Sequence, residues 1–129
     1  MKKQLLLFFL TVALAFALSP LFGQESDLTG TWVGSTYIAN SGDDQVTLVL
    51  HKEGEAYSGT VSDSMGMANE AKLENGKLEN GTLTGEFQIF NGSDYMKIKL
   101  TLKLSGDLLV GNWESADGET GSLELKRKS

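Results

Sequence analysis

Met96-Lys97-Ile98-Lys99-Leu100-Thr101-Leu102-Lys103-Leu104 alternates without a break, with five apolar residues on one parity and three lysines and a threonine on the other. Residues two apart share a face only in an extended chain, so this stretch reads as a β-strand with one buried face and one wet one. The same period recurs outward from it. Val46, Leu48 and Leu50 alternate with Thr47, Val49 and His51. Leu83, Gly85, Phe87 and Ile89 alternate with Thr82, Thr84, Glu86 and Gln88, and Leu123, Leu125 and Arg127 share a face opposite Ser122, Glu124 and Lys126.

Turn signals separate these runs: Glu53-Gly54, Asn75-Gly76, Asn80-Gly81, Asn91-Gly92, Ser105-Gly106-Asp107 and Asp117-Gly118. Asn-Gly and Asp-Gly supply the positive-φ residues of tight hairpins. The spacing predicts eight strands, about 30–39, 45–53, 55–62, 68–75, 81–90, 94–104, 107–115 and 120–127. No segment between them has room for a crossover helix. The expected fold is all-β, an up-and-down antiparallel meander whose eight strands suffice to close a barrel and hide both edges. The tandem pentamer Lys72-Leu-Glu-Asn-Gly76 and Lys77-Leu-Glu-Asn-Gly81 puts two turn signals five residues apart. One of them is expected to turn the chain and the other to form a bulge or a very short strand.

The first 23 residues read differently. Lys2 and Lys3 precede a run from Leu5 to Leu18 that is apolar except for Thr11, and Pro20, Gly23 and the polar Gln24-Glu25-Ser26-Asp27 follow. That is the layout of a secretory signal peptide, and the run is too short for a spanning helix of roughly 20 apolar residues. The expected organisation is a signal peptide over 1–23 and one barrel domain over 24–129, exported to the periplasm or beyond and not held in the membrane after cleavage. There is no cysteine, which excludes both disulfides and a lipid-modified N-terminal cysteine. Residues 1–23 hold two of the 11 basic residues and none of the 17 acidic ones, leaving a net charge of −8 on the rest. So acidic a surface disfavours nucleic acid and anionic membranes. The row Lys97, Lys99, Lys103 is the solvated side of a strand.

Catalysis is disfavoured by inventory. The chain has one histidine, His51, on an outward parity near a turn, and no serine in a nucleophile-elbow context. Carboxylates such as Asp43-Asp44, Asp63, Asp94, Asp107 and Asp117 fall at turns, where solvation explains them. No His or Cys cluster and no calcium-loop pattern is present, so neither metal nor cofactor is expected.

The ends of the domain say more. It opens Leu28-Thr29-Gly30-Thr31-Trp32 and closes Leu123-Glu-Leu125-Lys-Arg127-Lys128. A Gly-x-Trp on the first strand with a basic residue ending the last resembles the lipocalin, fatty-acid-binding and avidin-like barrels, the calycin group. In that group the tryptophan plugs the closed end and the terminal cation packs across its ring, so the resemblance implies a structural barrel base of Gly30, Trp32 and Arg127. More broadly, Gly30-Thr-Trp-Val-Gly34, Val46-Thr-Leu-Val-Leu50, Tyr57-Ser-Gly-Thr-Val61, Ser64-Met-Gly66 and Leu109-Val-Gly-Asn-Trp113 look like small lipocalin-like modules of secreted bacterial proteins. Such a mature chain is shorter than typical ligand-carrying lipocalins, which implies a smaller lumen.

By alternation the inward set includes Trp32, Val46, Leu48, Leu50, Tyr57, Val61, Phe87, Ile89, Met96, Ile98, Leu100, Leu108, Val110, Leu123 and Leu125. Gly34, Gly59 and Gly85 leave gaps, and Thr36 and Asn112 are the chief polar members. Trp113 then points outward. Any internal ligand is therefore expected to be apolar, with its polar end at a mouth formed by the Met65–Met67 loop, methionines being adaptable apolar contacts. The expected ligand contacts are Met65, Met67, Phe87, Met96 and Tyr57. Two functions are open. One is a non-enzymatic binding module for a small apolar ligand. The other is a protein-interaction module with a filled core, an inhibitor or accessory domain of a secreted enzyme.

Overall fold

The structure is a computed structural model, and it describes residues 27–128. The signal peptide expected over 1–23 lies outside the described residues. Every described element is a strand: β1 (Gly30–Ile38), β2 (Gly42–Glu53), β3 (Ala56–Asp63), β4 (Ala71–Lys72), β5 (Glu74–Glu79), β6 (Thr82–Phe90), β7 (Tyr95–Ser105), β8 (Leu108–Ser115) and β9 (Thr120–Arg127). They form one antiparallel sheet in the order β2-β1-β9-β8-β7-β6-β5-β3, which closes on itself because β2 also pairs with β3. β4 and β5 are the upper and lower parts of one stave. Ala71 and Lys72 pair with Val61 and Thr60, while Gly76 and Lys77 pair with Tyr57 and Ala56. The result is the expected closed barrel of eight staves.

The tandem pentamer explains the broken stave. Asn80 and Gly81, with φ of 54° and 80°, make the β5–β6 hairpin turn. Asn75, with φ of 55°, sits at a register shift between Glu74 and Lys77 where β5 leaves the regular ladder. Identical sequence does two different jobs because only the second Asn-Gly is followed directly by a full strand.

Up-and-down connectivity sorts the turns into two ends. The β2–β3, β5–β6 and β7–β8 hairpins share one end with the N-terminal arm and the tail of β9. The β1–β2, β6–β7 and β8–β9 hairpins and the 64–70 connection share the other. The first end is sealed: Leu28, Trp32, Leu50, Leu102, Leu109 and Leu125 are all essentially without solvent exposure there. Closing the seam also needs glycine. A Cβ on Gly34 would strike the backbone of Glu124 in β9, and one on Gly59 would strike that of Val49 in β2. The gaps expected at Gly34 and Gly59 are thus places where neighbouring backbones come close. At Gly85 the space is filled by Leu73.

One strand runs with the opposite parity to that expected. In β8 Leu109 is fully buried and Val110 is 38% exposed. Leu109, Gly111, Trp113 and Ser115 therefore face inward, and Val110 and Asn112 face out. Leu108-Leu109-Val110 is apolar at both parities and carries no phase of its own. The phase is set by Gly111, where a Cβ would strike the Thr101 backbone, and by Trp113, whose ring lies against Gly121.

Candidate ligand-binding cavity

The floor is built from both ends of the described chain. The Leu28 N–H donates to Tyr57 Oη at 3.0 Å, and Trp32 Nε1–H donates to the Leu28 carbonyl at 2.9 Å. Arg127 stacks its guanidinium 4.4 Å from the centroid of the Trp32 ring. Its Nη1 donates to the Thr29 carbonyl at 2.7 Å and its Nη2 to that of Asp27 at 3.1 Å. A Cβ on Gly30 would press on the same guanidinium. Gly30, Trp32 and Arg127 thus come together at the closed end. The cation keeps its charge near water while its flat face covers the indole, a contact worth about 0.5–2 kcal/mol.

Above this floor lies a cavity of about 290 Å³ that reaches the open end. Its two walls differ. On the β6–β7 side it is apolar: Phe87, Ile89, Met96, Ile98 and Leu100 line it, and Val46, Leu48 and Val61 continue the surface below the rim of β2 and β3. On the side of β1, β2, β3 and β8 a polar band crosses the upper wall. Trp113 Nε1–H donates to Thr36 Oγ1 at 2.9 Å, and that hydroxyl donates to the Ser122 carbonyl at 2.6 Å. Next in the ladder, Thr36 faces Asp44, and Val46 faces Asp63. Asp44 is 2% exposed. Its Oδ1 accepts from Ser64 Oγ at 3.0 Å and from the Met65 N–H at 3.1 Å.

Asp63 is less settled. Its Oδ1 accepts from the Ala68 N–H at 2.7 Å, but its buried Oδ2 has no hydrogen-bond partner among the described residues. Burial, followed by the neighbouring carboxyl of Asp44, pushes its pKa up to about 6. A proton held at Asp63 lets the two carboxyl groups lie together. At the rim the opposite holds for Asp117, whose carboxylate accepts from the Ser115 hydroxyl and is held below its usual range.

The rim beside Asp63 is pinned rather than loose. Ser64 N–H donates to the Gln45 carbonyl at 2.9 Å, Asp63 N–H to that of Ala68 at 3.1 Å, and Phe90 N–H to that of Met67 at 2.9 Å. This pinning sorts the expected contacts. Met67, Phe87 and Met96 line the cavity. Met65 does not, and the residue is 38% exposed. Tyr57 does not either, because its side chain is committed to the floor through Leu28. The interior is also less apolar than expected, since Asp44, Asp63, Ser115 and the indole N–H of Trp113 join Thr36. Asn112 is not among them. The signal for both aspartates was present: alternation carried back from Val46 reaches Asp44, and carried forward from Val61 reaches Asp63.

Among the described residues no group of three or more His, Cys, Asp or Glu is placed to hold a metal ion. Comparison with protein-family models, curated proteins and solved structures finds no match to this chain. The class that the geometry defines is an antiparallel eight-stave β-barrel with a sealed base and an open, partly apolar cavity.

Proposed function

We propose that this chain is an exported, non-enzymatic binding module of lipocalin-like type that holds a small, mainly apolar ligand inside its barrel. One observation carries the reading: a cavity of about 290 Å³, open at one end and walled by aliphatic, methionine and aromatic side chains. An apolar cavity of about 150 Å³ accommodates benzene, so this one has room for about ten or more non-hydrogen atoms. The arrangement of Gly30, Trp32 and Arg127 at the base supports the lipocalin-like part of the reading, and the residue pattern over 1–23 supports export. The interaction-module alternative required a filled interior, and the cavity speaks against that premise.

The test is uptake of an apolar fluorescent dye by the domain, with and without Met96→Trp. Met96 borders the cavity and is only half-buried, so a larger side chain there has space to enter without repacking the floor. Saturable dye uptake that is lost in Met96→Trp, with the melting temperature kept, is the expected result. Absence of uptake by the unmodified domain would refute the container reading.

A further inference from the structure

The headgroup of the ligand follows from the unlike walls of the cavity, an inference that rests on the container reading above. The polar band is acidic. Asp44, Asp63, Asp117 and Glu119 line the cavity, and among the described residues no lysine, arginine or histidine does. The surroundings repeat this bias: segments 39–44, 63–70, 91–94 and 116–119, which make the open end, hold seven acidic residues and no basic one. Cationic side chains lie elsewhere, with Lys52, Lys126, Arg127 and Lys128 toward the sealed base and Lys97 paired to Glu86 on the outer surface at 3.5 Å. A field of one sign over a mouth with low-dielectric walls concentrates ions of the other sign. Within that mouth Asp63 Oδ2 is buried and has no donor among the described residues.

We infer that the ligand is an aliphatic amine: an apolar chain of about ten non-hydrogen atoms lying along the β6–β7 wall, with its protonated amino group on Asp44 and Asp63. An ammonium brings three N–H donors to two neighbouring carboxyl groups, where Asp63 Oδ2 has no donor among the described residues. Its charge takes the place of the proton that lets the two carboxyl groups share one site. A fatty acid suits the apolar wall equally well but sets a third carboxylate against these two with no cation to offset it, which costs affinity instead of adding it. A neutral alcohol donates a single hydrogen bond and gains nothing from the field. The cavity therefore selects by charge as well as by apolar fit.

The test compares decylamine, decanol and decanoate at about pH 7.5, where Asp63 with a pKa near 6 is ionised, by displacement of the bound dye. The expected order is amine, alcohol, carboxylate, with the amine ahead of the alcohol by roughly tenfold or more, as for a hydrogen bond made to a charged group. Asp44→Asn and Asp63→Asn should each remove most of that advantage while leaving decanol binding in place, and Asp107→Asn at the sealed end should leave it intact. Binding of all three with the amine no tighter than the alcohol, or with decanoate as tight as the amine, overturns the inference and leaves the container standing. An equal loss in Asp107→Asn also overturns it, because overall charge and not this site then accounts for the preference. Failure of all three to displace a dye that is itself bound overturns the inference and leaves the container standing, whereas absence of dye uptake by the unmodified domain removes both.

Discussion

Trp32 and Trp113 show how the same side chain can have two different roles in one barrel. Trp32 is 1% exposed, is hydrogen-bonded through its indole nitrogen and is capped by Arg127. Trp32→Ala therefore leaves a hole in a packed floor and should cost about 3–5 kcal/mol in urea denaturation. Trp113 has one face on Gly121 and the other on open cavity, so it has less packing to lose. Trp113→Ala should cost about 1–3 kcal/mol, and the smaller loss follows from its cavity face, not from an outward position. In a Trp32→Phe background the emission of Trp113 should shift when the cavity fills; an unchanged spectrum on saturating dye would place the dye elsewhere. Asp63 supplies a second test at this scale. Its folded pKa is raised to about 6 from an ordinary 3.8, so its contribution to stability is present in full below about pH 4 and is lost as the pH rises through 6. Asp44 is the carboxyl beside it, and among the described residues no cationic side chain lines the cavity. Asp63→Asn keeps the acceptor for Ala68 and cannot ionise. Relative to the unmodified protein it should match at pH near 4 and melt at a higher temperature at pH near 7.5; a constant offset between the two pH values would rule out this titration.

At the scale of elements the two Asn-Gly pairs of the pentamer repeat make a matched comparison. Gly81 takes a φ of 80° in an open hairpin turn where a Cβ meets nothing. Gly81→Ala should therefore cost only the left-handed strain of about 1–2 kcal/mol. Gly76 is extended and faces the Tyr57 backbone, which a Cβ would strike. Gly76→Ala should cost more than Gly81→Ala in thermal denaturation and should loosen the β3–β5 pairing, and equal losses would mean that the stave has enough slack to move. The legibility of elements in the sequence followed the same physics. β7 was plain because each of its residues votes for one face. β8 takes the opposite parity to the one its alternation suggests, because three apolar residues in a row vote for both and only the packing at Gly111 and Trp113 decides. Asp44 and Asp63 look like turn residues in the sequence because aspartate next to Asp43 or Ser64 resembles loop chemistry. Their strands run further than the turn signals imply, and β2 starts at Gly42 instead of 45. The cavity itself was not legible, since alternation says which side chains point inward but not whether they meet.

For the molecule as a whole, the decisive pairing is the one between β1 and β9. Trp32 faces Arg127 and Gly34 faces Leu125 in that ladder, and Lys128 N–H donates to the Thr31 carbonyl at 2.8 Å. The first described strand is therefore incomplete until the last has been made. Without β9, β1 and β8 become two unpaired edges, the cavity wall loses Leu123 and the floor loses Leu125 and the cap on Trp32. Deletion of residues 120–129 should leave a chain without a cooperative melting transition, and a two-state melt of that fragment would show that the seam is dispensable. In folding this places closure last: every hairpin can form between neighbouring segments, yet the sheet joins only when β1 meets β9. A pairing of such long sequence separation is slow to form, so hairpins that are quick to fold one by one wait on the seam before any of them encloses an interior.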